Sequence, residues 1–546
     1  MTVKVDRRTP LRVGLIIDSF VQPRWVRKSL EDILAADVSV LSLLIRVIPE
    51  KKNRDSLLYK FYQRLDRSFF STSAPALELV GIDDLVRSCP VVLSSELENV
   101  KSFNLDVLMN FGPTTLNSKL ATLAKHGVWF YAFGAKDDSQ QNVPGFDAVL
   151  NREPITISSL RSLQGDGTER IIYQSVSPTL SRFSVRLNNN TCYLKSAAFM
   201  ARSLVELYEG HNAVAKNVSH RTGRLLEPPT NAAMALMLLK LSGRAVSRAL
   251  TKVSSFEQWV LAYRFNNTEF KYLIPPSDRF WADPFPVRME GRYYIFFEEY
   301  LYAQRKAHIS VIEVDRKGIV SGPTEVLKLD CHLSYPFVFE WQGDYYMIPE
   351  TGEKNAVELY RSGSFPFKWQ LEKILLEANC PLDATLIEVK GAWWMFVNIQ
   401  EQGVTVNWDE LHLYYSESPK GPWRAHARNP IVSDVRSARP AGRLFWSKGV
   451  LYRPSQDSSE RYGYATAVCQ IISLSPTEYA ETQIAKILPD WDKNVFGVHT
   501  LNALNEVTVI DCLVKRSRFR RSKLRPPPAL GIIENLLRNQ IPRKVG

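Results

Sequence analysis

Apolar and polar positions change their rhythm near residue 275. Before it, Val13–Ile17 is a short apolar run, followed by Trp25, Leu30, Ile33 and Leu34 at helical spacing and then by a second strand-like run, Val38–Val47. Val107–Met109 and Val128–Phe133 add two further buried-strand candidates. Strands alternating with helices predict a parallel, doubly wound α/β sheet over residues 1–195. Residues 196–270 read mainly as a helical linker, with Ala197–Tyr208 as one amphipathic stretch and Ala232–Lys252 as another. In the second, Lys240, Arg244, Arg248 and Lys252 are four apart and share one face. That face suits either an anionic membrane surface or packing between domains, and its position favours packing.

From residue 275 aromatic and β-branched segments are separated by turns, and the sequence repeats itself. Asp283-Pro284-Phe285 leads through Gly291 into Tyr293–Glu298; Tyr335-Pro336-Phe337 leads at the same spacing through Gly343 into Tyr345–Glu350. Asp383-Ala384-Thr385 leads through Gly391 into Trp393–Asn398, again without a gap. A looser copy runs from Arg439-Pro440 through Gly449 to Gln456-Asp457, and a fifth from His499-Thr500 to Asp511. Each unit is strand, turn, strand, and a repeat of about fifty residues leaves room for two more strands. Five such units over residues 271–515 predict a five-bladed β-propeller, whose radial packing protects the sheet edges.

Equivalent positions of successive blades ring the axis of a propeller. Asp283, Tyr335, Asp383, Arg439 and His499 open the five hairpins and are expected to face one funnel. The returning strands bring Glu298, Glu350, Asn398, Asp457 and Asp511 to a second ring near it. Folding does not require such a set, and converging polar groups cost desolvation unless water or a ligand satisfies them. Carboxylates with an Arg and a His suit a sugar: they accept hydroxyl protons, protonate a leaving oxygen or activate water when their environments separate their pKa values. Asp283, Asp383, Glu298 and Glu350 are the candidate catalytic residues; Trp281, Tyr335, Arg439, His499 and Glu299 are the candidate substrate contacts, with Trp281, Tyr335 and Trp393 offering flat faces.

Charge and cysteine usage narrow the setting. The net charge of +12 is partly local: seven Lys or Arg and no acid lie between Lys515 and Arg525, leaving +5 for the rest. The basic tail, residues 516–546, is expected to be solvated or to touch an anionic membrane; nucleic acid is not the expected partner. Six cysteines without any C-x-x-C pair argue against structural zinc and against a disulfide framework, and suit a reducing cytosol. The longest apolar run, Ala232–Leu239, is too short to span a bilayer, and the charged start Met1–Thr9 has no signal-peptide pattern. The expected location is cytoplasmic, or peripheral to the inner face of the membrane. No G-x-G-x-x-G follows the first strand, so no dinucleotide is expected, and neither metal nor another cofactor is called for. Nothing here fixes an oligomeric state.

Two resemblances can be named. Trp281-Ala282-Asp283-Pro284-Phe285, with Phe296-Phe297-Glu298-Glu299 behind it, resembles the five-bladed glycoside hydrolases that include arabinanases and xylosidases. That resemblance implies a general-base Asp at Asp283, a tuning and positioning Asp at Asp383, and a general-acid Glu among Glu298, Glu299 and Glu350. The whole chain is similar to the N-terminal region of glucosamine inositolphosphorylceramide transferase and to bacterial proteins sharing that region, a formyltransferase-like domain followed by a propeller. The stretches that carry this are Val13–Arg27, Asn110–Pro113, Pro144–Leu150 and the propeller repeats. After residue 515 only the basic tail follows, with no separate glycosyltransferase domain. In formyltransferases an N-x-H motif follows a strand, with an Asp about thirty-five residues on; here Phe130 and Ala132 take the Asn and His positions, and Asp166 that of the Asp. Without the imidazole no group stabilises a formyl-transfer oxyanion. Three functions follow as expectations: an enzyme acting on a sugar or glycolipid intermediate of cell-surface glycan assembly, a non-catalytic glycan-binding or scaffolding partner of a glycosyltransferase, and a sugar N-formyltransferase.

Overall fold

The computed structural model describes residues 9–48, 55–70, 72, 75–112, 116, 118–134, 145–211, 216–218, 228–266, 268–401, 406, 408–518 and 524–538, without side chains at 216–218 and 248–253. The chain divides into two compact units, Met1–Ala245 and Val246–Gly546.

The first unit is built on an eight-stranded sheet. Its parallel part holds Val91–Leu93, Ser39–Arg46, Leu11–Ile17, Val107–Asn110 and Val128–Gly134, in that spatial order. Ile155–Leu163, Glu169–Pro178 and Lys216–Val218 extend it antiparallel, so the sheet is mixed where the sequence predicted a parallel one. Ile155–Leu163 and Glu169–Pro178 form a hairpin with no helix between them, and these two long strands alternate too weakly to announce themselves. One face packs Ile16, Leu43, Ile45, Leu108, Val128 and Phe130 into a core. Tyr131 and Phe133 meet Trp25, carried by the helix Arg24–Ala35, in an aromatic cluster that also holds Tyr193.

Phe130 is thus core, and Asp166 sits in an exposed hairpin turn, accepting from Thr168 N and Oγ1 at 2.8 and 2.7 Å. Neither belongs to a polar cleft. The helix Val185–Glu209 begins before the boundary read at residue 196, capped by Ser184. In the helix Asn231–Ser254, Arg244 does not face solvent with Lys240: it donates to the carbonyls of Val149, Leu150 and Arg182. That removes one of the four cations from any membrane-facing row; the side chains of Arg248 and Lys252 lie outside the described residues, as do Met1–Arg8, Pro113 and Pro144.

The second unit is a five-bladed propeller. Four blades are four-stranded antiparallel sheets running outward from Arg279–Met289, Ser334–Trp341, Leu382–Val389 and Phe445–Ser447. The fifth closes the ring with chain from both ends of the unit. Val507–Ser517 pairs antiparallel with Ser255–Phe265 over eleven residue pairs, and Lys271–Leu273 adds the outer edge. Ser255–Phe265 lies in the stretch read from the sequence as mainly helical. It is a strand because its apolar positions pack on Val507, Val509, Ile510 and Val514, about 250 positions away, which local periodicity cannot report.

The basic C-terminal segment also differs from expectation. The fifth-blade strand runs to Ser517, and the short helix Ile532–Arg538 buries Ile533 and Leu537 against this blade while Glu534 pairs with the buried Arg264 at 3.4 Å. Arg516 and Arg518 lie over the Phe256 ring; residues 519–523 are outside the described set. Among the described residues no helix is long and apolar enough to cross a membrane, and the six cysteines are free.

Candidate active site

The inner hairpins of the first three blades share two devices. Their turns, Glu290-Gly291, Gln342-Gly343 and Lys390-Gly391, have positive φ at both residues, the geometry that matches strand twist in two-residue hairpins. At the other end each inner strand carries the same two-against-one bulge: pairing skips from Ala282 to Phe285, from Ser334 to Phe337 and from Leu382 to Thr385. The first bulged residues are Asp283, Tyr335 and Asp383, with φ of 52°, 44° and 54°. Left-handed backbone costs a non-glycine residue on the order of 1 kcal/mol, and a bulge re-aims a side chain. Three such positions at equivalent places hold a costly conformation that turns these side chains toward the axis.

What they meet there is a linked set of ion pairs. Arg439 Nε is 2.5 Å from Asp383 Oδ2, and its Nη2 is 3.2 Å from Asp383 Oδ1 and 3.0 Å from Glu350 Oε2. Gln456 Nε2 donates to Asp383 Oδ2 at 3.0 Å. His499 stands between two carboxylates, Nε2 at 3.3 Å from Asp283 Oδ1 and Nδ1 at 2.7 Å from Asp511 Oδ2. Asp511 also accepts from Asp283 N, His499 N, Thr500 N and Thr500 Oγ1. Tyr335 ties the ring across: its N–H donates to Asp283 Oδ2 at 3.3 Å, and its hydroxyl accepts from Gly442 N at 2.7 Å and bonds Thr385 Oγ1 at 2.8 Å. All five expected axis residues therefore converge.

The environments drive the protonation states apart. Burial pushes the Asp283 carboxyl well above its ordinary range; His499 opposes this, and Glu298, Asp383 and Asp511 reinforce it. Glu350 rises likewise, through burial and then the adjacent Asp383, against Arg439. Asp511 is buried too, yet the His499 cation and its hydrogen bonds hold it below the usual value. Burial disfavours charge on His499, but Asp511 and Asp283 outweigh it and lift the imidazole to about 9. Neutral carboxyls beside fixed ions are the usual provision for general acid–base chemistry.

Not every expected residue takes part. Trp281 belongs to the first-blade core and donates its indole N–H to Glu299 at 3.1 Å. Glu299 further accepts from Arg279 and Ser310 and touches His308, and although burial opposes it these partners hold its pKa at about 2. Both leave the ligand-contacting set, and Trp393 packs on the second-blade core. Glu298 reaches the site's edge, 3.2 Å from His332 Nε2. Of the second ring, Glu350 and Asp511 join the cluster, while Asn398 donates to Glu410 O and Asp457 binds Lys486 at 2.5 Å.

Tyr462 and His332 were missed. The Tyr462 ring lies 5.2 Å from the Arg439 guanidinium, 5.6 Å from the His499 ring and 5.5 Å from Trp408, with 38% of the residue's surface open. Burial of its hydroxyl, then Asp283, Asp383 and Glu350 against Arg439, push its pKa up. Both residues sit in loops outside the repeats, so no spacing pointed to them. Gln456 Oε1 is buried without a partner among the described residues, an acceptor left for water or ligand.

Asp283, His499 and Asp511 also present one ligand atom each within 4.8 Å of one another, the spacing of a metal site. Each imidazole nitrogen faces one of the two carboxyl groups.

Comparison with known proteins bears on the propeller. Residues 269–503 match the family described as "Glucosamine inositolphosphorylceramide transferase 1, N-terminal". Glucosamine inositolphosphorylceramide transferase 1 of Oryza sativa subsp. japonica is 38% identical over 213 residues, 38% of this chain and 28% of the relative; that of Arabidopsis thaliana is 37% identical over 212 residues, with the same coverage. The chain thus spans about a quarter of the length of these curated relatives. Among solved structures, a family 117 glycoside hydrolase of the marine bacterium Zobellia galactanivorans covers 47% of this chain and 90% of its own at 14% identity and a TM-score of 0.32. An exo-1,5-alpha-L-arabinanase from a bovine ruminal metagenomic library covers 44% and 94% at 15% identity and a TM-score of 0.30. The family match excludes Val13–Arg27, Asn110–Pro113 and Pro144–Leu150, so what stands is that the propeller of this chain is similar to the N-terminal region of glucosamine inositolphosphorylceramide transferase 1.

Proposed function

We propose that this chain acts on a sugar or sugar-bearing lipid intermediate of cell-surface glycan assembly, with the chemistry at the propeller axis. The observation that carries this reading is the split among buried carboxyls, Asp283 and Glu350 pushed up while Asp511 is held down. Geometry favours Glu350 as general acid over Glu298 and Glu299: it is uncharged by its surroundings and stands against Asp383, which Arg439 orients from two nitrogens. Asp383 then tunes and positions, and Asp283, whose raised pKa makes its ionised form the stronger base, takes a proton from water or a hydroxyl after releasing its own. Tyr462 is the flat open face for a sugar ring. The relatives' names, with glucosamine and an inositolphosphoryl ceramide, support an amino sugar or glycolipid. The N-terminal sheet is inferred to keep a formyltransferase-like architecture without that chemistry, since Phe130 is core and Ala132 has no proton to give.

The experiment is Asp283→Asn. Asn tolerates the left-handed backbone held at this position and keeps the shape, yet it cannot act as a base. Turnover of a glucosaminyl lipid or aryl glycoside should fall by about 100-fold or more with affinity nearly unchanged. Loss of binding together with turnover would make Asp283 a ligand-holding residue. Glycan binding by both proteins, with no turnover by the wild type, would leave a non-catalytic binding module.

A further inference from the structure

Among the described residues, the helix Leu57–Phe69 of the first unit packs through one face and leaves a second, apolar one exposed. Ser56 caps it by accepting from Tyr59 N. Tyr59, Tyr62 and Asp66 form the buried face and fix its orientation: the Tyr62 hydroxyl donates to Phe183 O at 2.8 Å and accepts from Val185 N at 3.0 Å, while Asp66 accepts from Ser184 Oγ and from Arg186 N at 2.9 Å. Leu57, Phe61, Leu65 and Phe69, four apart, nevertheless stay open to 78, 52, 37 and 76%. An amphipathic surface helix has no need of large apolar side chains there.

Their neighbours say what suits them. At about 100° per residue, the four apolar side chains cover a sector of roughly 120° that adjoins the buried face on one side. Lys60, Arg64 and Arg67, all exposed, fill the sector on the other side. The helix's one acid, Asp66, is turned inward and hydrogen-bonded, so the exposed surface is leucine, phenylalanine, three cations and the small Ser68. A protein partner would have to bury those cations with the apolar stripe, whereas a lipid surface takes the rings into its acyl boundary and leaves the cations among anionic headgroups. We infer that the helix Leu57–Phe69 is a docking surface for an anionic bilayer, Leu57, Phe61, Leu65 and Phe69 entering the interface and Lys60, Arg64 and Arg67 meeting the headgroups. The inference is independent of the chemistry at the propeller axis and of the basic C-terminal segment.

The test is co-sedimentation of the full chain with vesicles of phosphatidylcholine alone and of phosphatidylcholine with phosphatidylserine. The wild type should bind the mixed vesicles, less as salt rises, and bind the neutral ones weakly. Phe61→Asp with Phe69→Asp, and separately Lys60→Glu with Arg64→Glu, should each reduce binding by at least tenfold, with unfolding temperatures unchanged because every altered side chain is exposed. Absence of binding to the mixed vesicles, or binding equal in wild type and both variants, overturns the inference. So does a dimer in light scattering that Phe61→Asp with Phe69→Asp dissolves, which would assign the stripe to a second copy.

Discussion

Glu350 and Asp383 meet on a single nitrogen of Arg439, at 3.0 and 3.2 Å, and Glu350 is the one kept neutral. Asp383 already has Arg439 Nε and Gln456 Nε2, so the shared cation serves it first. Burial then pushes the Glu350 carboxyl well above its ordinary range beside Asp383.

That arrangement has a stability signature. Glu350 protonates at higher pH folded than unfolded, so between those values the folded state holds the extra proton and stability falls as pH rises; above both, the penalty persists. Glu350→Gln is therefore expected to raise stability at pH 7 by on the order of 1 kcal/mol, a few degrees in Tm, with the gain vanishing below about pH 4. Thermal unfolding across pH checks it, and an equal gain at pH 3 would refute it.

His499 gives a slope of the same sign in a higher pH window. Its folded pKa of about 9 lies above the model-compound value of 6.5, so its contribution is complete below about pH 6.5 and is lost as pH rises through 9. Imidazole NMR should show one ring titrating near 9, and denaturant melts of His499→Gln should lack the decline between those values. A His499 resonance titrating near 6.5 contradicts the two-carboxylate clamp.

Tyr462 separates ring from hydroxyl. Tyr462→Phe keeps the open face over Arg439 and His499, so glycan affinity should hold within about threefold; Tyr462→Ala should lose about tenfold. Calorimetry with one glycan on both variants checks this. Equal loss in the two would move the role to the hydroxyl.

The closeness of the blades at the axis is tested at Gly442. Its φ is +136°, a Cβ there would lie 2.2 Å from Leu501 O, and its N–H donates to the Tyr335 hydroxyl. Gly442→Ala is expected to cost on the order of 3 kcal/mol or more, read as a shifted denaturation midpoint, because the contact is backbone and cannot swing away.

The sequence by itself determined the propeller and most of its axis. Identical spacing from Asp283 to Glu298, Tyr335 to Glu350 and Asp383 to Asn398 fixes which residues are equivalent, and a closed ring turns equivalence into convergence. Spacing alone did not separate Glu350 from Glu298 and Glu299. Glu298 and Glu299 are sequence neighbours whose side chains leave opposite faces of one strand, and only tertiary contacts gave Glu299 to Trp281 and His308, Glu298 to His332, and Glu350 to Arg439. Tyr462, from an unrepeated loop, and Ser255–Phe265, paired with a strand about 250 residues away, were equally beyond local pattern. Periodicity records which face a residue takes. Protonation, ion-pair partners and ring closure depend on groups that meet only when the chain folds, and these were decided by the tertiary structure.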